Sequence, residues 1–422
     1  MSPVREAEVR IERLGSGGDG IAQHPGGPLF VPLTLPGERW RVRLGPPGSA
    51  ARRAVPLERL DGPPRAEPIC PFFGRCGGCV LQHLPPADYT AFKRQRVAEA
   101  LSRRGLADVP VLEPLTAPVA SRRRLRLAVL RRNRDQLLGF RARGTARVEP
   151  IDRCPIALPV LSTLLSRLAA ALARTLAGPL TELTLTAVDN GIDLVLTADR
   201  DPAQAERLSL PAMAETLDLV RISWLHRGQA EPLVIRRQPT IVFGETPVPF
   251  PPAAFLQATS FGEHHLAAAV ETAAAGCRRA LDLYAGLGPL ALALARRSVT
   301  VRAVESDAAA TAALSTARSR HPGLSVETRD LARRPLAGPE LKGIDLVILD
   351  PPRAGAAEQV EALARSSVPR IVYASCDPAS FARDARTLVD GGYSLGPVQP
   401  IDQFLYSAEV ELVATFQRHS RG

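Results

Sequence analysis

The spacing of apolar residues changes character twice along this chain, and each change marks a different kind of unit. Over residues 1–60 apolar and charged positions alternate in short runs. VRIERL, LFVPL and RWRVRL read as strands, with GSGGDG, HPGGP and TLPGE as the turns between them. This predicts a small all-β barrel. Its strands interleave Arg10, Arg13, Arg39, Arg41 and Arg43 with apolar positions, in the manner of an OB-like barrel that grips nucleic acid. Residues 61–68 (DGPPRAEP) read as a Pro-rich linker, and a helix is predicted over roughly 87–104. Residues 120–200 alternate strand patterns (LRLAVL, LTLTAV, DLVLTA) with one Leu/Ala-rich helix at roughly 157–177, and 219–250 reads as more strand. From about residue 262 the period changes again. The helix EHHLAAAVETAAA leads into LDLYAGLG, and β and α units then alternate to the end, which implies a parallel sheet covered by helices. The expected architecture is therefore α/β: a barrel at 1–60, a central basic α+β domain at 61–250, and a doubly wound Rossmann-like domain at 251–422.

Composition supports a folded chain of more than one domain. The 422 residues exceed what one core usually serves, and 45% hydrophobic with 23% charged residues is ordinary for a folded protein. No apolar run of 18 residues exists, and MSPVREAEVRIERLG lacks the apolar core of a secretory signal. A cytoplasmic monomer with no membrane partner is expected. The net charge is +10, and only Lys93 and Lys342 among the 53 basic residues are lysine. A GC-rich genome explains the preference for Arg over Lys, but it does not explain the excess of base over acid. That excess is concentrated: residues 121–153 hold eleven Arg against Asp135, Glu149 and Asp152. Guanidinium groups pair with phosphate through two parallel hydrogen bonds, so a nucleic-acid partner is expected.

The C-terminal unit has the outline of a nucleoside-cofactor site. The strand ALDLY runs into Ala285-Gly286-Leu287-Gly288 and then a helix, so glycines let the turn pass close to a ligand. The next strand, VTVRAV, ends at Glu305, where an acid can take both hydroxyls of a ribose; a solvated strand end is the plain alternative. The third glycine of a dinucleotide fingerprint is missing, which argues for a cofactor smaller than NAD. Asp330 ends the following segment, LSVETRD. Asp350 ends IDLVILD and is followed by two prolines that hold the backbone extended.

Six cysteines, in a cytoplasmic chain, point to metal binding or catalysis rather than disulfides. Cys376 follows the buried-strand pattern RIVYA on the same rim as Asp350, a good place for a nucleophile, although most free cysteines are simply small buried hydrophobes. Cys277 fits that plainer description. Cys70, Cys76 and Cys79 stand close together, and 74 residues separate Cys79 from Cys154. Four thiols can hold a [4Fe–4S] cluster or Zn²⁺, and spacing alone does not choose between them. Two carboxylates, Glu409 and Glu411, flank Val410 near the C-terminus; in a strand they would share a face, so periodicity does not distinguish them.

These motifs together resemble the bacterial RNA uracil-5-methyltransferases over nearly the whole chain. LDLYAGLG, DPPRAG, SCDPAS and EVE stand where that family has LDLYCGxG, DPPRxG, SCxPxT and HVE. The resemblance implies an S-adenosylmethionine-dependent methyltransferase domain that acts on carbon 5 of a uridine. Cys376 would be the nucleophile, Glu411 the base, and Gln257, Tyr284, Gly286, Gly288, Glu305, Asp330 and Asp350 the cofactor-side residues. CGGCVLQH and DRCPI resemble the family's iron–sulfur ligands, so Cys70, Cys76, Cys79 and Cys154 would hold a [4Fe–4S] cluster. GDGIA and FVPLTLPGE resemble the TRAM barrel of the 23S ribosomal RNA enzymes, a barrel that the tRNA enzyme lacks. The sequence departs from the family pattern at Thr259, Pro289 and Glu409, where Asn, Asn and His are usual. A DNA cytosine-5-methyltransferase would need a Pro-Cys nucleophile and a Glu-Asn-Val acid, which are missing. An amino-methylating enzyme would carry an aromatic residue where Arg353 stands. A non-catalytic RNA-binding scaffold, or a tRNA enzyme, stays open as an alternative.

Overall fold

The computed structural model describes residues 5–25, 27–45, 52–132, 135–176 and 178–418, without the side chains of 131–136. Arg131, Arg132, Arg134 and Asp135 of the Arg-rich stretch therefore lie outside the described side chains.

The N-terminal unit is a six-stranded sheet in the order Glu6–Arg10, Arg39–Leu44, Arg52–Asp61, Leu29–Val31, Gly20–Ala22, Arg13–Leu14. The continuous segment Glu6–Leu14 supplies both edges, so the sheet curls back on itself and hides them, as small barrels do. Alternation drives this: Val9, Ile11, Val31 and Val42 turn into a small core while Arg10 and Glu12 turn out. Two of the interleaved arginines are engaged within the barrel. Arg39 pairs with Glu8 and Asp61, and Arg41 with Glu58. Among the described residues Arg10, Arg13 and Arg43 have no such pair. At the foot of the barrel, Glu38 is fully buried. Its carboxylate takes bonds from Arg59 (2.9 Å), Arg65 (2.6 Å), the Trp40 indole (2.8 Å) and the Leu35 amide (2.8 Å), which fastens the linker to the barrel.

The central sheet runs Val148–Pro150, Asp135–Arg141, Arg124–Arg132, Glu182–Val188, Gly191–Thr197, Leu219–His226, Gln229–Ile235. It is antiparallel except between Gly191–Thr197 and Leu219–His226. A parallel pair cannot be joined by a hairpin, and here the crossover is the helix Gln204–Thr216. The sequence pattern did not reveal this helix, because Pro211 interrupts it and its buried face is narrow. Helix Pro159–Thr175 packs beside it, close to its expected span, and buries Leu161, Leu164, Leu165 and Leu168.

The C-terminal sheet has five parallel strands in the order Leu324–Thr328, Thr300–Glu305, Arg279–Leu283, Leu346–Leu349, Arg370–Ser375. Glu411–Arg418 then joins antiparallel, followed by Gln399–Asp402. The order reverses between Arg279–Leu283 and Leu346–Leu349, and a crevice opens there at the carboxyl ends of the strands. LVIL and RIVYAS are almost wholly buried, as strands covered on both faces must be.

The expected boundary between the central and C-terminal units is crossed by the chain. Leu115–Thr116 is the edge strand of the C-terminal sheet, paired with Gln399–Asp402. Helix Pro86–Ser102, which the pattern assigned to the central unit, spans both cores: Tyr89 and Phe92 pack into the central one, Val97 and Leu101 into the C-terminal one. An apolar stripe shows that a helix buries a face but not which sheet it covers. No helix among the described residues is long and apolar enough to cross a membrane.

Burial pushes the Glu38 carboxyl up, but its bonds from Arg65, Leu35 and Trp40 outweigh this and hold it below the usual glutamate range. Its stabilisation is therefore full above that range and is lost as pH falls through the depressed value. Glu38→Ala is expected to destabilise the barrel by on the order of 2 to 3 kcal/mol at neutral pH, and the deficit should shrink in acid. Denaturant melts followed through Trp40 in a Trp224→Phe background check both points.

Candidate active site

The crevice is built from strand ends. After Arg279–Leu283 the chain turns through Tyr284 (φ 64°), Gly286 (φ 54°) and Gly288 (φ 81°) into helix Pro289–Ala295. Gly288 tolerates nothing larger, since a Cβ there would lie 2.4 Å from Leu314. Pro289 takes the first helical position, where its missing N–H is no loss. Glu305 is not a free strand end. It accepts from the amides of Gly286 (2.9 Å), Ser306 (2.6 Å) and Asp307 (2.8 Å), which ties the glycine turn to the neighbouring strand. Asp330 closes a local turn by accepting from the Ala332 amide (3.0 Å), half-exposed and close enough to Tyr284 to act on its hydroxyl.

The centre of the site is a chain of four side chains. Gln257 donates to Asp350 (3.0 Å), Gln403 donates to Gln257 (2.8 Å), and Gln403 also donates to Glu411 (3.0 Å). Gln257, Gln403 and Glu411 are buried, and one oxygen of Glu411 has no hydrogen-bond partner. Burial pushes the Glu411 carboxyl well above the usual range and the Asp350 charge adds to this; Gln403 and Arg353 act against it. Burial likewise raises Asp350. Asp282, fully buried one strand away, is pushed up to about 8 by burial and by Asp350, with the Ala291 amide opposing. A crowd of carboxyls raised by burial, two of them further by Asp350, suits a cationic ligand.

Cys376 stands opposite Glu411. The antiparallel register pairs Ser375 with Leu412, so the next residues along each strand meet across the rim. The following residue, Asp377, caps helix Pro378–Asp390 by accepting from the Ser380 amide at 2.8 Å. Burial pushes the Cys376 thiol up to about 11; the charges of Glu411 and Asp350 also raise it, while Arg353 lowers it. In the free protein Cys376 is therefore a protonated thiol.

The two C-terminal acids do not share a face. The strand begins at Glu411, so Glu409 lies outside it, half-exposed and 3.5 Å from Arg353. Gln257 is held from the central unit: Arg123 donates to its carbonyl (2.9 Å), the Arg123 amide donates to the Ala258 carbonyl (2.9 Å), and Arg123 pairs with Glu263. Thr259, where the family pattern has Asn, caps helix Ser260–Ala273 by accepting from Gly262 at 3.0 Å, a task Thr and Asn both perform.

Cys70, Cys76, Cys79 and Cys154 share one neighbourhood, and each of Cys76, Cys79 and Cys154 is raised first by burial and further by the other thiols. The half-buried Arg122 guanidinium lies near Cys154 and Cys79. Among the described residues no three ligand-type side chains are drawn to metal-binding geometry. Four clustered thiols, Cys154 buried and the other three half-buried, beside a cation do, however, suit a thiolate-bound cluster of net negative charge.

Two site residues escaped the sequence reading. Gln403 lay unremarked beside the two glutamates. Asp282 had a signal, an acid between leucines in a strand whose neighbours are all apolar.

With the geometry in place, the relatives are informative. Residues 326–419 match the family model described as tRNA (Uracil-5-)-methyltransferase. An "uncharacterized RNA methyltransferase" of Brucella suis is 39% identical over 99% of this chain and 99% of its own. The 23S rRNA (uracil(1939)-C(5))-methyltransferase RlmD of Chromohalobacter salexigens is 36% identical over 97% of this chain and 89% of its own. The chain belongs to the RNA uracil-5-methyltransferase family. This uracil-5-methyltransferase shares its fold with the Pyrococcus abyssi tRNA (uracil-54, C5)-methyltransferase, solved with S-adenosyl-L-homocysteine. The TM-score is 0.77 at 24% identity, covering 97% of this chain and 99% of that one.

The raised Cys376 thiol gives a direct check on this uracil-5-methyltransferase. Alkylation of the Cys376 peptide, followed by mass spectrometry, should be slower than for free cysteine at pH 7.5 and should climb about tenfold per pH unit towards 11. Glu411→Gln removes a negative charge and should move the curve to lower pH; an unmoved curve would separate the two groups.

Proposed function

We propose that this enzyme methylates carbon 5 of a uridine in 23S rRNA, with Cys376 as nucleophile and Glu411 as base. The observation that carries the reading is the buried chain Asp350–Gln257–Gln403–Glu411 ending opposite the Cys376 thiol. Carbon 5 of uracil is a weak nucleophile. When Cys376 gives up its proton to solvent, its sulfur adds to C6 and the C5=C6 electrons move into an enolate. Arg353 supports the thiolate that starts this step. S-adenosylmethionine, when bound, would supply an electrophilic methyl group to C5 and leave as S-adenosylhomocysteine. Glu411 then removes the C5 proton. The electrons of that C–H bond restore C5=C6, the C6–S bond breaks, and Cys376 is regenerated. A carboxyl raised by burial is a strong enough base for this once it is ionised. Glu409, half-exposed and paired with Arg353, has no comparable line to the thiol.

Tyr284, Gly286, Gly288, Glu305, Asp330, Asp350 and Gln257 would hold the cofactor, on the crevice where open α/β sheets bind ligands. The ribosomal target is favoured over tRNA by the 36% identity with the 23S enzyme across nearly the whole chain. We also assign a [4Fe–4S] cluster to Cys70, Cys76, Cys79 and Cys154, as a structural tie between the linker and the Arg-rich sheet. The N-terminal barrel, in the role of a TRAM module, and the arginines of residues 121–153 would grip RNA phosphates.

Incubation with tritiated S-adenosylmethionine and unmodified 23S rRNA should yield labelled 5-methyluridine; label in tRNA alone would move the target, and label in neither would sink the reading. Cys376→Ala should abolish transfer. Glu411→Gln should accumulate a covalent protein–RNA adduct visible on denaturing gels, whereas Glu409→Gln should turn over and release. Anaerobically purified protein should be brown and carry about four iron atoms per chain; stoichiometric zinc would refute the cluster.

A further inference from the structure

Glu411 and Gln403 stand at the two ends of one loop. The chain leaves the strand Gln399–Asp402, and Gln403 is the next residue; it re-enters the sheet at Glu411. The two ends also touch, since Ile401 pairs with Glu411. One buried ammonium binds the loop at three separate points. Lys93, on helix Pro86–Ser102, is 0% exposed. Its Nζ lies 2.7 Å from the Asp402 carboxylate, donates to the Phe404 carbonyl at 3.3 Å, and donates to the Glu409 carbonyl. One group thus ties the entry, the middle and the exit of the loop. Asp402 is buried as well and accepts from the Tyr89 hydroxyl, which in turn accepts from the Tyr406 amide at 2.8 Å.

The choice of residue is informative. In a chain with only one other lysine, arginine would be the expected cation. An ammonium presents three donors around a point, whereas a guanidinium is a planar fork. Three acceptors converging on one buried point suit only the former. Fully enclosed, Lys93 has no route to RNA or cofactor and acts only through the loop.

We propose that Lys93 is a positioning residue for proton removal from C5, holding Gln403 and Glu411 in register with Cys376. The proposal rests on Glu411 being the base. Addition of the thiol and uptake of the methyl group also draw on elements that Lys93 does not touch, the end of strand Arg370–Ser375 and the glycine turn. Loss of the ammonium therefore slows release of product more than formation of the adduct.

The test follows adduct formation and release with 23S rRNA and S-adenosylmethionine in Lys93→Met, Glu411→Gln and the pair Lys93→Met/Asp402→Asn. The single variant strands a buried carboxylate and can fail to fold; the pair removes both charges at nearly constant shape. With the pair melting near wild type, release is expected to slow on the order of 10- to 100-fold, as for other small misplacements of a reacting group, while adduct still forms. Release by the folded pair at the wild-type rate, or loss of formation and release in equal proportion, overturns the role of Lys93. Glu411→Gln without adduct overturns the reading of Glu411, and this proposal with it.

Discussion

Three carboxyl groups, Asp282, Asp350 and Glu411, are brought together where water cannot solvate them freely, and the arrangement around the crevice answers that constraint. A buried carboxylate without partners is costly enough that it either takes up a proton or acquires donors. Here Gln257 and Gln403 relay donors between Asp350 and Glu411, and even so one Glu411 oxygen is left without a partner. The site is therefore strained towards a positive ligand and towards a proton. A methyl donor carrying cationic groups, and a substrate that must lose a proton, meet both needs.

The relay draws its members from three separate stretches of the C-terminal unit, and the other units brace two of those stretches. Arg123 of the central sheet holds the backbone at Gln257 and Ala258. Helix Pro86–Ser102 reaches from the central core into the C-terminal core and fixes the loop that bears Gln403 and Glu411. The cysteine-bearing segment contributes too, because the amides of Val80 and Leu81 donate to the Tyr406 carbonyl at 2.8 and 3.0 Å. Arg96 adds a bond to the Ala408 carbonyl at 2.8 Å and another to Ser16 of the barrel. The loop is thus gripped by every part of the molecule that is not itself the cofactor fold. Such a loop keeps its geometry without an extended strand of its own.

The resting state also follows from burial. Cys376 is held as a thiol and Glu411 above its ordinary range, so neither group carries its full charge before the substrate arrives. Two negative charges facing each other across a rim would repel. A proton kept on one of them avoids this.

The sequence by itself determined the parts of this protein that depend on local pattern. Strand-and-turn spacing placed the barrel, βα alternation placed the cofactor sheet, and strand tips marked Glu305, Asp350 and Cys376, because apolar runs and the residues that end them are read over a few positions. Glu411 and Gln257 came from likeness to relatives, not from pattern. Only the tertiary structure decided what depends on which segments meet. Spacing put Glu409 and Glu411 on one face, but the strand starts at Glu411 and turns Glu409 outward to Arg353. Helix Pro86–Ser102 joined two cores instead of one, and Lys93, Gln403 and Asp282 drew their significance from partners up to more than three hundred positions away along the chain. Hydrophobic periodicity records that a face is buried. The identity of what buries it is set by long-range packing, which no local window contains.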